Sequence, residues 1–386
     1  MDLSPSLVAL ADRCVQCGLC LPHCPTYRLD AVESESPRGR IAYMKALAGG
    51  GLDPTPIGDL HLDHCLGCRR CEGACPAGVE YGRLLVGARA AQFERAPKGA
   101  AIRIRLGLLA RPRLLGRALG WYRRAYRWLP KRWRPLPRPP VPVAAVPASS
   151  SIKAGPSIFV GCVARSYEAR ARAALARLAT AVGVEVTEPG GQGCCGAGAS
   201  HAGDAAQAGA LAAANAAAFA GSGSVLCLAS GCQSTLADSL AGVVEVEDAL
   251  VFLAARANGL RFRDAGGMRV ALHRPCTQFA LAGSIAATRS LLGMVPGLEV
   301  VELPDTGCCG AAGMHMVEFP ERADALRREL LASFESAGGW REARPGQPML
   351  PGTQILSVSH SCRLHLANGS LVPVRHPLEL LADFLA

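Results

Sequence analysis

The strongest constraint on this chain is a string of cysteines that occurs twice with one spacing. The first copy is Cys14-x2-Cys17-x2-Cys20-x3-Cys24-Pro25 and the second is Cys65-x2-Cys68-x2-Cys71-x3-Cys75-Pro76. Two-residue gaps wrap three thiolates around one face of an iron–sulfur cubane, and in chains carrying two clusters the displaced fourth thiolate ligates the other one. The spacing therefore predicts two [4Fe–4S] clusters. One is expected on Cys14, Cys17, Cys20 and Cys75, the other on Cys65, Cys68, Cys71 and Cys24. Zinc is the competing reading of a single C-x2-C pair, and two complete copies with a trailing proline argue against it. The stretch between Cys24 and Cys65 is long for a compact bacterial ferredoxin. Residues 1–97 are therefore expected to form a helical ferredoxin-type domain, with a helix around Arg38 to Leu47.

Cysteine usage is high throughout, with 17 among 386 residues. No basic stretch followed by an apolar run opens the sequence, so no secretory signal is expected and the compartment should be reducing. There, clustered thiols bind metal or do redox chemistry more often than they pair. No apolar run is long enough to cross a membrane. The expected location is the cytoplasm, or the periphery of the inner face of the cytoplasmic membrane.

The net charge of +10 sits in one place, because no Asp or Glu occurs from Arg95 to Tyr167. Residues 98–155 read as a basic segment that ends in a Pro/Ala/Ser-rich linker, Pro135 to Ser151. Residues 100–134 mix Arg and Lys with Leu, Ile, Trp121, Trp128 and Trp133. That pattern suits a helix lying on an anionic membrane surface, and equally a solvated or subunit-facing helix. Basic segments with aromatics also bind single-stranded nucleic acid, but no recognition motif accompanies this one, and no nucleic-acid partner is expected.

The rest of the chain is a repeat. Cys162 and the pair Cys194-Cys195 recur, with the same separation, as Cys276 and Cys308-Cys309, and both pairs lie in Gly-Cys-Cys-Gly-Ala. Each copy has a third site, Cys232 and Cys362, with an insertion in the second copy that includes REARPGQPMLPGTQ. β-rich runs (SIFVG, SVLCLAS, MRVALHR, QILSVSH) precede the cysteines, and helical runs such as SYEARARAALARLATAVG and ERADALRRELLASF follow. Alternating strands and helices predict two α/β domains with parallel sheets, 156–265 and 266–386. The cysteines should lie beyond the carboxyl ends of strands, where open α/β sheets bind ligands.

A vicinal pair is awkward to close as a disulfide and suits a metal or redox site. Flanking glycines permit unusual dihedrals, and the amides of a following helix would lower a thiol pKa. Cys162, Cys194, Cys195 and Cys232 are expected to converge in one lobe, and Cys276, Cys308, Cys309 and Cys362 in the other, as candidate ligands of further redox centres. Buried structural cysteines are the bland alternative. His273, His315, His360 and His365 lie near these positions and are candidate proton donors or ligands, although each alone is more often a structural histidine. Gly191-Gln192-Gly193-Cys194-Cys195-Gly196 fits G-x-G-x-x-G after the run VEVTE. Two of its free positions are cysteines and its second copy lacks the first glycine, so neither NAD nor flavin is expected on this chain.

The strings CVQCGLCLPHCPTYR, SPRGRI, HLDHCLGCRRCEGACPAGVEYGRLL, the two GCCGA strings, ASGC and HRPCTQF together resemble the iron–sulfur subunit family of bacterial glycolate oxidase (glycolate dehydrogenase) over nearly the whole chain. A wider group shares the paired cysteine-rich CCG domains, including heterodisulfide reductase subunits and the anchor subunit of anaerobic glycerol-3-phosphate dehydrogenase. The resemblance implies an electron-transfer subunit that is not catalytic alone. It would accept electrons from an FAD-containing subunit that oxidises glycolate, or D-lactate, work beside a second flavoprotein-like subunit, and deliver toward the quinone pool. The full CCG pattern ends in Cys-x-x-Cys and holds an unusual [4Fe–4S] centre. Here Ala229 and Ser359 stand at the first cysteine, and Cys227 is out of register. Thiol–disulfide chemistry in the lobes, as in heterodisulfide reductases, is the rival reading, and an anaerobic glycerol-3-phosphate dehydrogenase subunit is another.

Overall fold

The computed structural model describes residues 5–130, 133–141, 155–303, 308–336 and 353–386. The chain divides into two compact units. One comprises Met1–Ile104 with Gly198–Ala208 and Thr306–Leu330, the other Arg105–Ala197, Gly209–Asp305 and Leu331–Ala386.

The described part of residues 1–104 is helical. Its helices span Pro5–Asp12, Pro25–Asp30, Pro37–Ala48, Pro56–Asp63 and Tyr81–Arg95, with a single turn at Arg70–Gly73. Proline stands first in four of them, at Pro5, Pro25, Pro37 and Pro56. A helix start leaves that N–H without a partner in any case, and the ring presets φ. Ser36 and Thr55 cap the helices they precede by accepting from Gly39 N and Gly58 N, which satisfies one orphan amide each. The core of this unit joins Ile41, Met44, Leu62, Leu84 and Leu85 to Cys71, with Cys14, Cys20, Cys65 and Cys75 packed against it. The cysteine loops thus pack against the hydrophobic core through these thiols. Segment 306–330 is tied into the same unit by Arg322, which reaches Asp30 at 2.6 Å and Glu35 at 3.3 Å, and by an Arg28–Glu329 pair.

The second unit holds two parallel sheets. The strands are β1 Pro156–Ile158, β2 Ser224–Cys227, β3 Val246–Asp248, β4 Arg269–Leu272, β5 Glu299–Glu302, β6 Gln354–Leu356 and β7 Val374–Arg375. Their orders are β1-β2-β3 and β5-β4-β6-β7, and every pairing is parallel. Strands covered on both faces read as continuous apolar runs, as SVLC and RVAL do. One core spans both sheets, since Ile158 and Leu226 of the first pack in one cluster with Val270, Leu272 and Leu356 of the second. Backbone and side chains also link them. Ser230 N donates to Val358 O at 3.4 Å, and the buried His376 meets Leu228 O through Nε2 at 2.9 Å.

The β-rich runs SVLCLAS, MRVALHR and QILSVSH contain β2, β4 and β6, and SIFVG overlaps β1, while β3, β5 and β7 are short additions that periodicity does not reveal. The run VEVTE is reduced to a single bridge, Ser157 to Thr187. Pro189 follows closely and has no N–H to continue a ladder. The linker residues 142–151 and the insertion residues 341–352 lie outside the described residues.

Candidate metal centres

The two N-terminal loops share one backbone. Gln16 (φ 55°) and Gly18 (φ 83°) in the first string correspond to Gly67 (φ 59°) and Arg69 (φ 58°) in the second. All four are left-handed, a conformation that costs an L-residue about 1–2 kcal/mol. Such strain persists only where the surroundings impose it, and it concentrates at functional sites. Side chains supply the constraint. Arg38 Nη1 donates to Gln16 O at 3.0 Å, while Arg69 Nε donates to Glu72 at 2.8 Å and Gly82 N to the same carboxylate at 2.6 Å.

Wrapping the chain this way opens two cavities. Cys14, Cys17, Cys20 and Cys75 line one of about 440 Å³, and Cys71 also reaches its wall. Cys24, Cys65, Cys68 and Cys71 line another of about 310 Å³, with Arg40 and Tyr81. All eight cysteines are free thiols. The first cavity therefore draws Cys14, Cys17 and Cys20 from one string and Cys75 and Cys71 from the other, while the second draws Cys65, Cys68 and Cys71 from one string and Cys24 from the other. Among the described residues, only Glu35, His61 and His64 form a trio of potential ligands whose donor atoms all lie within 4.8 Å of one another. Burial pushes the Cys68 and Cys71 thiols well up, and neighbouring sulfurs add to it, Cys308 foremost for Cys68. Thiolates there need a cationic centre among them, and iron in a cluster is one. The residues present fit a [4Fe–4S] group in each cavity.

The Glu35 trio is a hydrogen-bonded hub. Nδ1 of His61 and Nδ1 of His64 each lie 2.6 Å from Glu35 Oε1, while Oε2 takes Arg40 at 2.6 Å and Arg322 at 3.3 Å. Burial alone would raise the Glu35 carboxyl, yet the His64 hydrogen bond and the Arg40 charge hold it at about 2. Arg40 is 1% exposed and donates also to His61 O at 2.6 Å, Thr26 Oγ1 at 3.0 Å and Glu35 O. Burial opposes its charge, but the nearby Cys65, Tyr81, Glu35 and Cys24 sustain it. Two donors reach the Cys65 sulfur, Gly67 N at 3.5 Å and Tyr81 Oη at 3.6 Å. Charge and hydrogen bonds of this kind set cluster potentials. Spacing arguments about cysteines do not find Glu35 or Arg40. Their only sequence signal is the SPRGRI string, whose role is visible here: Ser36 caps, Arg38 holds the first cysteine loop, and Arg40 enters the core.

In the second unit, a cavity of about 410 Å³ is lined by Cys162, Cys195, Cys232, Ala229 and His360, with Glu168 and Arg172 at its wall. Cys194 joins these thiols. Hydrogen bonds from Cys162 and Cys195 hold its thiol well below the usual range, and the Gly196 amide assists. The assisting amide thus belongs to a left-handed glycine (φ 90°) rather than to a helix turn. Gln192 and Asn215, both buried, fix this loop. Val160 N donates to Gln192 Oε1 at 2.7 Å, and Gly193 N to Asn215 Oδ1 at 2.9 Å. In the G-x-G-x-x-G-like string the Gly193 amide is therefore engaged by a side chain.

The other expected set divides between the units. Cys308 and Cys309 belong to the first, Cys276 and Cys362 to the second, and all four are buried. Gly310 N reaches Cys308 Sγ at 3.4 Å. Cys227 ends β2 inside the apolar core, its sulfur against Ala229 O at 3.4 Å. Of the flagged histidines, His273 Nδ1 meets Ser357 Oγ at 3.0 Å and His315 Nδ1 meets Gly310 O at 3.2 Å. His365 is buried in the helix His360–Ala367. His360 is the one that faces a cavity lined by several thiols.

A family described as a 4Fe-4S dicluster domain matches residues 10–79, and one described as a cysteine-rich domain matches 157–237 and 270–367. The glycolate oxidase iron–sulfur subunit of Escherichia coli K12 is 31% identical, covering 96% of this chain and 93% of that one. The probable glycolate oxidase iron–sulfur subunit of Bacillus subtilis 168 is 33% identical over 50% of each chain. One of the subunits of a fumarate reductase (CoM/CoB) from Methanothermobacter marburgensis is 32% identical over 44% of this chain and 36% of its own. With a ferredoxin-type domain ahead of parallel-sheet cysteine-rich domains and matching kin along its length, the chain belongs to the glycolate oxidase iron–sulfur subunit family.

Proposed function

We propose that this chain is the electron-relay subunit of a flavin-dependent 2-hydroxyacid dehydrogenase with glycolate as substrate, taking electrons from an FAD-containing partner and delivering them toward the quinone pool. The observation that carries the reading is the exchange of thiols between strings, Cys75 joining Cys14, Cys17 and Cys20, and Cys24 joining Cys65, Cys68 and Cys71 around two cavities. A bound [4Fe–4S] group supplies one-electron transfer without proton or atom transfer. The chain's own residues do the rest. They hold the sulfurs, bury Cys24 and Cys71 away from water, and place Arg40 and Tyr81 beside the Cys65 set. The cysteine-rich lobes add a further redox centre around Cys162, Cys194, Cys195 and Cys232. Membrane contact is assigned to the basic residues 100–134, bringing the relay near its acceptor.

Iron and labile sulfide on anaerobically purified protein test this. About eight of each from Cys14–Cys75, with an EPR spectrum of two interacting clusters on reduction, is expected. Cys75→Ser should disturb the cluster of Cys14, Cys17 and Cys20, and Cys24→Ser the other. If each serine variant disturbed the cluster of its own string, the exchange would be wrong. If zinc replaced iron, the whole reading would fall.

A further inference from the structure

The two repeats place different residues at one corresponding position. Ser230 stands two residues before Cys232, and His360 two residues before Cys362. Each follows the carboxyl end of its strand, β2 or β6, and the two ends cross. Ser230 is buried, and its hydroxyl lies 2.7 Å from Thr277 Oγ1, beside Cys276 of the other repeat. His360 makes the reciprocal excursion and lines the cavity of Cys162, Cys195 and Cys232. That cavity also contains Ala229, where the full cysteine-rich pattern carries another thiol. Nδ1 of His360 is buried and has no hydrogen-bond partner among the described residues, while its Nε2 lies 3.4 Å from Ser361 Oγ.

A buried ring nitrogen without a partner, in a cavity with converging thiols, is an unspent donor. The other polar groups on the wall are engaged. Arg172 binds Glu188 at 2.8 Å, and Glu168 is paired with Arg363. Neutral imidazole is the form that ligates metal, and histidine replaces cysteine on iron in some iron–sulfur centres.

We propose that His360 completes an iron–sulfur site in the first lobe through Nδ1, working with Cys162, Cys194, Cys195 and Cys232 in place of the thiol absent at Ala229. Replacing an anionic donor by a neutral one raises the potential of a cluster, so this centre lies above the all-cysteine clusters and attracts their electrons. The inference rests on the reading that the lobe binds a cluster at all.

The test uses the full chain purified anaerobically, with ¹⁵N-histidine and natural-abundance samples compared by pulsed EPR after reductive and oxidative poising. More than eight irons per chain and a nitrogen coupling that changes with the isotope are expected. His360→Leu should abolish that coupling and leave the signals from Cys14–Cys75 intact. His360→Cys should retain the additional iron without the nitrogen. If iron stays at eight, the lobe is empty and the reading beneath the inference fails with it. If iron exceeds eight but the nitrogen coupling is missing, or survives in His360→Leu, the lobe cluster stands and its histidine ligand is wrong.

Discussion

Arg40 Nη2 and Glu35 Oε2 form an ion pair of 2.6 Å in which both side chains are shielded from water. The guanidinium is on the cavity side, beside Cys24, Cys65, Cys68 and Cys71. A reduced cluster carries one more negative charge than an oxidised one, so a cation there favours reduction. Arg40→Gln should lower the midpoint potential of that cluster, and Glu35→Gln should raise it. A shift of 59 mV would be a tenfold change in the one-electron equilibrium. Redox titration followed by EPR reads both variants. Shifts of the same sign would show that the pair acts through structure alone. Arg40→Leu breaks a buried ion pair and should destabilise the first unit by up to about 3–5 kcal/mol, less whatever His61, His64 and Arg322 still supply to Glu35.

Gly39 lies in the first turn of the helix Pro37–Ala48. A Cβ there would stand 2.0 Å from the Glu33 carbonyl oxygen, and the backbone that would have to yield carries Glu35. Gly39→Ala is therefore expected to cost about 1–3 kcal/mol, as overpacked sites do, and to lower the iron content. Gly116 is the control. It sits in the helix Pro112–Ala125 with open space around it, so Gly116→Ala should stabilise by about 0.5–1 kcal/mol. Denaturation midpoints that moved alike in both variants would contradict the contrast.

His376 caps the helix Pro377–Phe384. Its Nδ1 accepts from Leu378 N at 3.0 Å, and its Nε2–H donates to Leu228 O at 2.9 Å. Burial pushes its pKa well below 6.5, with the Arg363 charge adding to the effect. A folded-state pKa below the unfolded one means stability is complete above pH 6.5 and falls as pH drops below it. The limiting slope is about 1.4 kcal/mol per pH unit for one such group. Denaturant titrations at pH 7.5 and 5.5 should show the loss, and His376→Asn should be less stable at pH 7.5 with a smaller difference between the two. An unchanged difference would assign the pH dependence to other groups.

The solvent face of the helix Pro112–Ala125 and the turn after it presents Leu114, Arg117, Trp121, Arg124 and Trp128 at helical spacing, while Leu115 and Leu119 turn inward. Trp121 is 70% exposed and Trp128 82%. An apolar and cationic stripe with no carboxylate suits an anionic membrane surface. Binding to anionic vesicles should fall about fivefold for each arginine replaced, at ~1 kcal/mol per cation, and fall further in Trp121→Ala/Trp128→Ala. Sedimentation with anionic and neutral vesicles measures it. Equal binding of the double variant would point to a protein partner for this face.

Much of the chemistry was legible in the cysteines. Ligand spacing within a string is a local property, set by how few residues can wrap one face of a cluster. The two strings therefore announced the cofactor class, and the duplicated Gly-Cys-Cys-Gly announced the repeat. The parallel sheets followed from strands and helices that alternate along the chain. The left-handed Gln16 and Arg69 carry no such signal, because any residue type can be forced there once its neighbours hold it. The short strands β3, β5 and β7 were equally silent, since two to four residues display no period.

What only tertiary structure decided is which groups meet. Arg322 reaching Glu35, His376 reaching Leu228, and His360 entering the cavity of Cys162 are contacts between residues far apart in sequence. No local pattern encodes them, because they depend on how whole elements pack and on burial strengthening every charge and hydrogen bond. The sequence by itself determined the thiols, their spacing and the concentration of positive charge in one segment. The fold determined which cation lies beside which cluster site, and that Ala229 faces a histidine.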